Sequence, residues 1–297
     1  MTSFLNMKYE SLLKFGGRQT CSSPSHREGV TLVHHRGKNL RGILPMVNAE
    51  YDKSDESFLE QIAILAPSFP EWLGNRSFLE KHQLRFAYVG GAMARGIASA
   101  ELVIQLAKHG MMGFFGSAGL SLRVVEEELK KIERSLGPDK LPFGANLIHT
   151  PEQADLERNI VELYLKHDVR KISASAFMKM TPSIVYYGAK GLSEENGLVK
   201  RRQQIFAKIS RIETAQQFMN PPSEKILQSL LNEGLLNEKE VALARKIPVA
   251  TNIIIESDSG GHTDNRPLGS LFPAIQDLRN RVQKQRQYQE EIFLGAA

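Results

Sequence analysis

The sequence predicts an α/β fold of the TIM (β/α)8 barrel type, left incomplete, on three observations. From about Leu84 onward, short apolar runs alternate with helix-period stretches, which means βα units laid on a parallel sheet. Six such units follow one another and a seventh strand begins near the end; short strands in this rhythm suit a barrel at its usual ~250 residues. Glycine or polar clusters recur after the first, second, third and sixth runs, always at the carboxyl end. A barrel gathers those ends at one mouth. The rival, an open doubly wound sheet, carries G-x-G-x-x-G after its first strand, and Gly90-Gly91-Ala92-Met93-Ala94-Arg95-Gly96 lacks that spacing.

The elements follow in order. Residues 1–65 carry little regular signal beyond a β-like run at Gly29–His34 and a helix start expected within Asp52–Glu60. The prolines of Pro67-Ser68-Phe69-Pro70-Glu71-Trp72-Leu73-Gly74 exclude a helix interior, because proline removes a donor and clashes with the preceding turn. Residues 1–84 are read as an N-terminal extension and 85–297 as the barrel. Phe86–Val89 is the first strand; Ser99 caps the helix after it, Glu101 lies in its first turn and Gly110 stops it. Met111–Phe115 is the second strand. Ser121 caps the next helix, on which Leu122, Val125, Leu129, Ile132 and Leu136 form one apolar face before Gly137-Pro138. Phe143–Leu147 is the third strand, and Thr150-Pro151-Glu152 opens its helix with a cap, a proline and an acid. Leu156, Ile160, Leu163 and His167 mark that helix's face. Val169–Ala174 is the fourth strand, and the looser stretch Phe177–Gln203 has its own helix start at Thr181-Pro182. Ile205–Ile209 is the fifth strand, with Glu213–Met219 as its helix. An insertion near 220–248 reads as a helical hairpin, one arm capped by Ser223 and the other by an Asn237–Glu240 capping box. Asn252–Ile255 is the sixth strand. Leu271, Ile275, Leu278 and Val282 form the next helix face, and Glu291–Leu294 starts the seventh strand.

Composition bounds the chemistry. In 297 residues, 41% hydrophobic and 24% charged content describes a globular protein with material for a sizeable core. The lone Cys21 excludes an internal disulfide framework and suits a reducing cytoplasm. No apolar run nears the roughly 18 residues that span a membrane. The net charge of +5 is spread over Lys130-Lys131, Lys200-Arg201-Arg202 and Arg279–Arg286. Such clusters without interleaved aromatics are commonly solvated helix faces, which argues against nucleic acid; an acidic carrier protein or a phosphate-bearing ligand accounts for the charge equally well. No P-loop or Gly-x-Ser-x-Gly elbow is present. His34-His35, His149, His167 and His262 lack metal-ligand spacing, so no metal is expected.

The stretch Glu256-Ser257-Asp258-Ser259-Gly260-Gly261-His262-Thr263-Asp264 follows the sixth strand. Adjacent glycines let a backbone approach a ligand, and a histidine exchanges protons near neutral pH; a polar turn with a surface histidine is the plainer reading. A mouth lined by Gly91–Met93, Asn146 and Lys208 suits a flat polar cofactor. Backbone amides would bond a ring edge, and Lys208 would balance negative charge on a reduced ring. Equally, Lys208 can be a barrel lysine neutralised by Glu256, and Asn146 a cap or turn residue.

At these residues the sequence resembles a family. Phe69-Pro70-Glu71-Trp72-Leu73-Gly74, Tyr88-Val89-Gly90-Gly91-Ala92-Met93-Ala94-Arg95-Gly96-Ile97-Ala98-Ser99, Ala174-Ser175-Ala176-Phe177-Met178, Ala207-Lys208-Ile209-Ser210-Arg211 and the block Glu256–Pro267 are similar to the PfaD-type, trans-acting enoyl reductases of polyketide and polyunsaturated fatty acid biosynthesis, which are related to nitronate monooxygenases. The resemblance runs from about residue 67 to the end. It implies a barrel holding flavin mononucleotide (FMN), taking hydride from NADPH and reducing the α,β-double bond of an acyl-carrier-protein thioester, in the cytoplasm, with a homodimer as one arrangement. By the resemblance, Gly91, Ala92, Met93, Asn146, Lys208, Glu256, Gly260 and Gly261 bind the flavin, and His262 donates a proton or orients the substrate. The alternatives are a nitronate monooxygenase-type flavin oxidase and a non-catalytic scaffold that binds carrier protein through its basic surface. The family continues from Gly-Ala-Ala into a Gly-Gly-Ile-Gly loop that grips the flavin phosphate, whereas this sequence ends at Ala297; a truncated barrel is therefore expected.

Overall fold

The computed structural model describes residues 30–36, 40–45, 59–137, 141–257 and 266–297. The chain divides into two compact units, Met1–Arg76 and Ser77–Ala297; the boundary expected from the sequence was at 84/85. In the first unit, strands β1 (Val30–His35), β2 (Leu40–Pro45) and β3 (Leu59–Leu65) form an antiparallel sheet in the order β2-β1-β3. The β-like run is therefore a strand, one residue later than expected. The helix expected from Asp52 is not supported at its end, since Leu59 and Glu60 open β3; positions 51–58 lie outside the described residues. Leu59-Glu60-Gln61-Ile62-Ala63-Ile64-Leu65 carries branched apolar residues that favour an extended chain. The proline-rich stretch makes only a short 3-10 turn, Pro70–Trp72, with the Phe69 and Trp72 rings 4.5 Å apart.

The second unit is built on seven parallel strands in the order β12-β11-β10-β7-β6-β5-β4. These are β4 (Val89–Gly90), β5 (Met112–Phe115), β6 (Gly144–Ile148), β7 (Lys171–Ser175), β10 (Gln204–Ile209), β11 (Asn252–Ile255) and β12 (Phe293–Ala296). They are the seven strands read from the sequence, most displaced by one or two residues. The curled sheet is an incomplete TIM-type barrel. Its edges are β4 and β12, and no strand among the described residues joins them. A small antiparallel hairpin, β8 (Ser193–Glu195) and β9 (Leu198–Lys200), occupies the loose region before β10.

Helix α1 (Arg76–His82) precedes the barrel strands; α2 (Ala100–Lys108), α3 (Leu122–Leu136), α4 (Ala154–Lys166), α5 (Pro182–Ala189), α6 (Ile212–Phe218) and α9 (Leu268–Arg286) follow successive strands. Arms α7 (Glu224–Asn232) and α8 (Glu238–Ala244) form the inserted hairpin. Ser99, Ser121 and Thr181 cap their helices as expected, each accepting from the backbone N–H three residues on. Asn237 and Glu240 make the full capping box, whereas Ser223 stands at its N-cap without a side-chain bond. Thr150 is not a cap. Its hydroxyl donates to the Gln153 carbonyl, and Gln153 N–H donates back to Thr150, so the chain makes one turn before α4 begins at Ala154. The buried stripe of α4 is consequently Glu157, Ile160, Val161 and Tyr164, with Leu156 and Leu163 at its margin. Among the described residues no helix is long and apolar enough to cross a membrane.

Strand alternation separates two cores. Phe115, Leu147, Ile172, Ile205, Ala207, Ile253 and Ile255 face the helices, joined by Val125, Leu129, Ile132 and Leu136 of α3 and by Leu271, Ile275, Leu278 and Val282 of α9. Inside the barrel, Met112, Phe114 and Phe206 form a second cluster with Leu84, Phe78 and Ile254. The α1 side of this interior is its floor. His82 lies within 5.1 Å of the Phe206 ring and its Nε2 is 2.8 Å from Asn252 Oδ1. Lys81 and the buried Arg201 both pair with Glu290, at 2.5 and 2.8 Å.

Candidate functional site

The inward positions become polar on passing from the floor to the carboxyl ends of the strands. Register aligns Asn146, Ser173, Phe206 and Asn252 in one row, and Ile148, Ser175, with Lys208 beside Ile254 and Gly295, in the next. Glu256 stands just beyond β11, its N–H donating to Ile209 O at 2.8 Å. Lys208 Nζ reaches Glu256 Oε1 at 2.6 Å, with both side chains largely buried. The neutralised barrel lysine and the mouth lysine are thus one residue: paired with a carboxylate, yet in the top inward row.

Asn146 is buried at the centre of a hydrogen-bond network. Ser175 Oγ donates to its Oδ1 at 2.9 Å, which fixes the amide and leaves Nδ2 to donate elsewhere. Ser117 Oγ donates to its backbone carbonyl at 2.8 Å, and the fully buried Tyr164 hydroxyl donates to the same oxygen. Burial raises the Tyr164 phenol, which keeps it a neutral donor. Asn146 is therefore a fixed inward donor rather than a turn residue.

The loop after β4 sets Gly91, Ala92 and Met93 at the same end. Nothing lies within 4 Å of a Cβ placed on Gly91, so its backbone is open to a ligand. This loop is laced to the next one: Gly96 N–H donates to Gly116 O at 2.8 Å, Arg95 N–H to Ala118 O at 2.8 Å, and Gly116 N–H to Ala98 O at 2.9 Å. A Cβ on Gly116 would lie 1.7 Å from Met93 O, so only glycine admits that approach. Gly260, Gly261 and His262 lie outside the described residues.

Sequence reasoning missed a cluster on the rim. His149 follows β6 directly; its Nδ1 is 3.1 Å from Glu157 Oε2, and its ring stacks on Phe177 with centroids 5.1 Å apart. Thr181 Oγ1 donates to the other oxygen of Glu157. His149 N–H donates to Ser175 O at 3.0 Å, tying this cluster to the residue that orients Asn146. Glu157 and Asn146 also share the lining of a cavity of about 60 Å³ with Ser117, Ile148 and Thr150. Ala176, between Ser175 and Phe177, takes a left-handed φ of 61°; strain of this kind clusters at functional sites. The available sequence signal was a histidine immediately after a strand, followed eight residues on by an acid in a helix's first turn.

No family model matches the chain. Among curated proteins it is 40% identical over 269 residues to "Polyketide biosynthesis protein PksE" of Bacillus subtilis (strain 168), covering 90% of this chain and 35% of that protein. It is 42% identical over 226 residues to a polyunsaturated fatty acid synthase polypeptide of Thraustochytrium sp. (strain ATCC 26185 / S-3), covering 76% and 15%. The chain thus spans about a third or less of these relatives. Among solved structures, the enoyl reductase domain of MlnA from the macrolactin biosynthesis cluster of Bacillus amyloliquefaciens superposes with a TM-score of 0.74 at 38% identity, covering 76% of this chain and 51% of that one. Motifs, relatives and barrel agree: the chain is a relative of the PfaD-type enoyl reductases.

Proposed function

We propose that this chain carries the flavin site of an FMN-dependent, NADPH-using enoyl reductase acting in trans on acyl-carrier-protein thioesters in polyketide or polyunsaturated fatty acid assembly. The observation that carries the reading is the polar layer of Asn146, Ser175, Lys208 and Glu256 at the carboxyl mouth of a barrel like that of the MlnA enoyl reductase domain. The residues fit FMN. Asn146 presents a fixed amide donor, Lys208 a cation in the next inward row two strands away, and Gly91 with Ala92 and Met93 an open backbone edge. Gly260 and Gly261 are proposed to complete the cradle, with His262 near the substrate. When bound, FMN supplies hydride transfer between NADPH and the enoyl β-carbon. Lys208 offsets negative charge in a site removed from water, while Glu256 keeps the lysine in place; Asn146 orients the bound ring. The acyl carrier protein as partner, a homodimeric state and a cytoplasmic location belong to the same proposal.

The test is FMN titration followed by assay. Purified chain is expected to quench FMN fluorescence saturably, and Asn146→Ala or Lys208→Ala to weaken binding about tenfold each, corresponding to ~1.4 kcal/mol. NADPH consumption should require an enoyl thioester. Oxidation of a nitronate by oxygen without such a requirement would transfer the assignment to the nitronate monooxygenase type, and absence of FMN binding would favour the scaffold.

A further inference from the structure

We propose that His149 is the acid that protonates the α-carbon of the bound enoyl thioester, with Glu157 and Thr181 as its positioning residues; this rests on the enoyl reductase reading above. Glu157 is a carboxylate with only 3% of its surface exposed, and burying such a charge is costly unless it is paired and hydrogen-bonded. Among the described residues its side chain meets two groups, the Thr181 hydroxyl and His149 Nδ1. Its Oε2 lies 3.1 Å from His149 Nδ1, a contact that is an ion pair whenever the imidazole is protonated. A carboxylate accepts hydrogen bonds and cannot donate one, so Nδ1 carries a proton and the second ring nitrogen, Nε2, is left to exchange one. Nε2 makes no hydrogen bond among the described residues and is not sealed from solvent. The Phe177 ring, stacked at 25°, holds the imidazole plane. The backbone sets His149 at the carboxyl end of the strands, since its N–H is bonded to Ser175 O and Ser175 holds Asn146. A carboxylate on one ring nitrogen and a free second nitrogen is an arrangement that both fixes the tautomer and stabilises the imidazolium.

Hydride originating from NADPH forms the new C–H bond at the β-carbon, and the π pair of the double bond moves to the α-carbon. The α-carbon takes the proton from Nε2 of the imidazolium, whose N–H electrons stay on nitrogen. Neutral His149 keeps Nδ1–H on Glu157 and regains its Nε2 proton from water. The net change is enoyl thioester, NADPH and a proton to saturated thioester and NADP⁺.

Two measurements test this on the 297-residue chain. In ¹⁵N-histidine-labelled protein, with His149 assigned by its loss in His149→Gln, the neutral ring should be the Nδ1–H tautomer; Glu157→Gln, whose amide can also donate, should relax that preference. A neutral Nε2–H tautomer in the wild type would overturn the proposal. In stopped-flow half-reactions, His149→Gln should be reduced by NADPH within about twofold of wild type and reoxidised by enoyl thioester on the order of 10²–10³ times more slowly, the range of general acid catalysis. Glu157→Gln should show a smaller loss, about tenfold, in the same half-reaction. Reoxidation at the wild-type rate, or equal slowing of both half-reactions, would reject His149 as the acid. A wild-type chain that enoyl thioester never reoxidises would instead overturn the enoyl reductase reading and this step with it.

Discussion

At the scale of single residues, the mouth depends on one compensated charge. Lys208 and Glu256 are 2.6 Å apart with 16% and 8% of their side chains exposed, so removing the cation leaves a carboxylate where solvation is poor. Lys208→Met is expected to lower stability by about 3 kcal/mol, the lower end for breaking a buried pair, measured as a shift in urea midpoint at pH 7. Double replacement of Lys208 and Glu256 by apolar residues should restore most of that loss without restoring the FMN binding proposed for this mouth. Lys208, Asn146 and Glu256 were legible as site candidates because a polar residue within or just after an apolar strand must point inward or be paired. His149 was not legible in the same way. Its meaning comes from Glu157, and the sequence placed a helix cap at Thr150 where the chain turns once more and brings Glu157 back toward the strand end.

At the scale of elements, helix faces with clean spacing were readable: Val125, Leu129, Ile132 and Leu136 on α3, and Leu271, Ile275, Leu278 and Val282 on α9, are all buried. Short elements without such spacing were not. Helix α1, only seven residues long, has no recognisable stripe, yet it brings His82 and Phe78 into the barrel interior. Strand β3 was hidden because its alternation is imperfect and its neighbours carry acidic, helix-starting residues. Burial and the nearby Lys171 and Lys81 hold His82 down to about 4, against the bond to Asn252, which pulls the other way. Its folded value lies below the ordinary 6.5, so the stability that neutral His82 contributes is complete above pH 6.5 and is lost as pH falls toward 4. The full loss is about 3 kcal/mol. His82→Gln cannot titrate, so its unfolding free energy should fall less than that of wild type between pH 7 and pH 4.5, as read from paired urea melts. Equal slopes would mean that other groups set the acid limit.

At the scale of the whole molecule, the barrel class was legible because all seven strand-like runs survive as parallel strands in the structure. The antiparallel sheet of the first unit was not, since its pairing joins segments as far apart as β1 and β3 and leaves no local mark. Among the described residues no strand pairs with the outer edges of β4 and β12, and an open strand edge offers backbone donors and acceptors that invite association. Sedimentation velocity on the 297-residue chain is expected to show concentration-dependent self-association, and a strictly monomeric profile at high concentration would show that these edges are protected. The floor cluster has a consequence in time as well as space. Lys81 on α1 and its partner Glu290 are separated by 209 positions, and Arg201 joins the same carboxylate. A ribosome working from the amino end makes both cations long before the acid that satisfies them. During synthesis, Phe78, His82, Lys81 and Arg201 must therefore wait, exposed or loosely held, until Glu290 emerges. Sequence-distant closure of this kind slows folding and lengthens exposure to wrong partners; in this chain a late-made acid locks the first barrel helix.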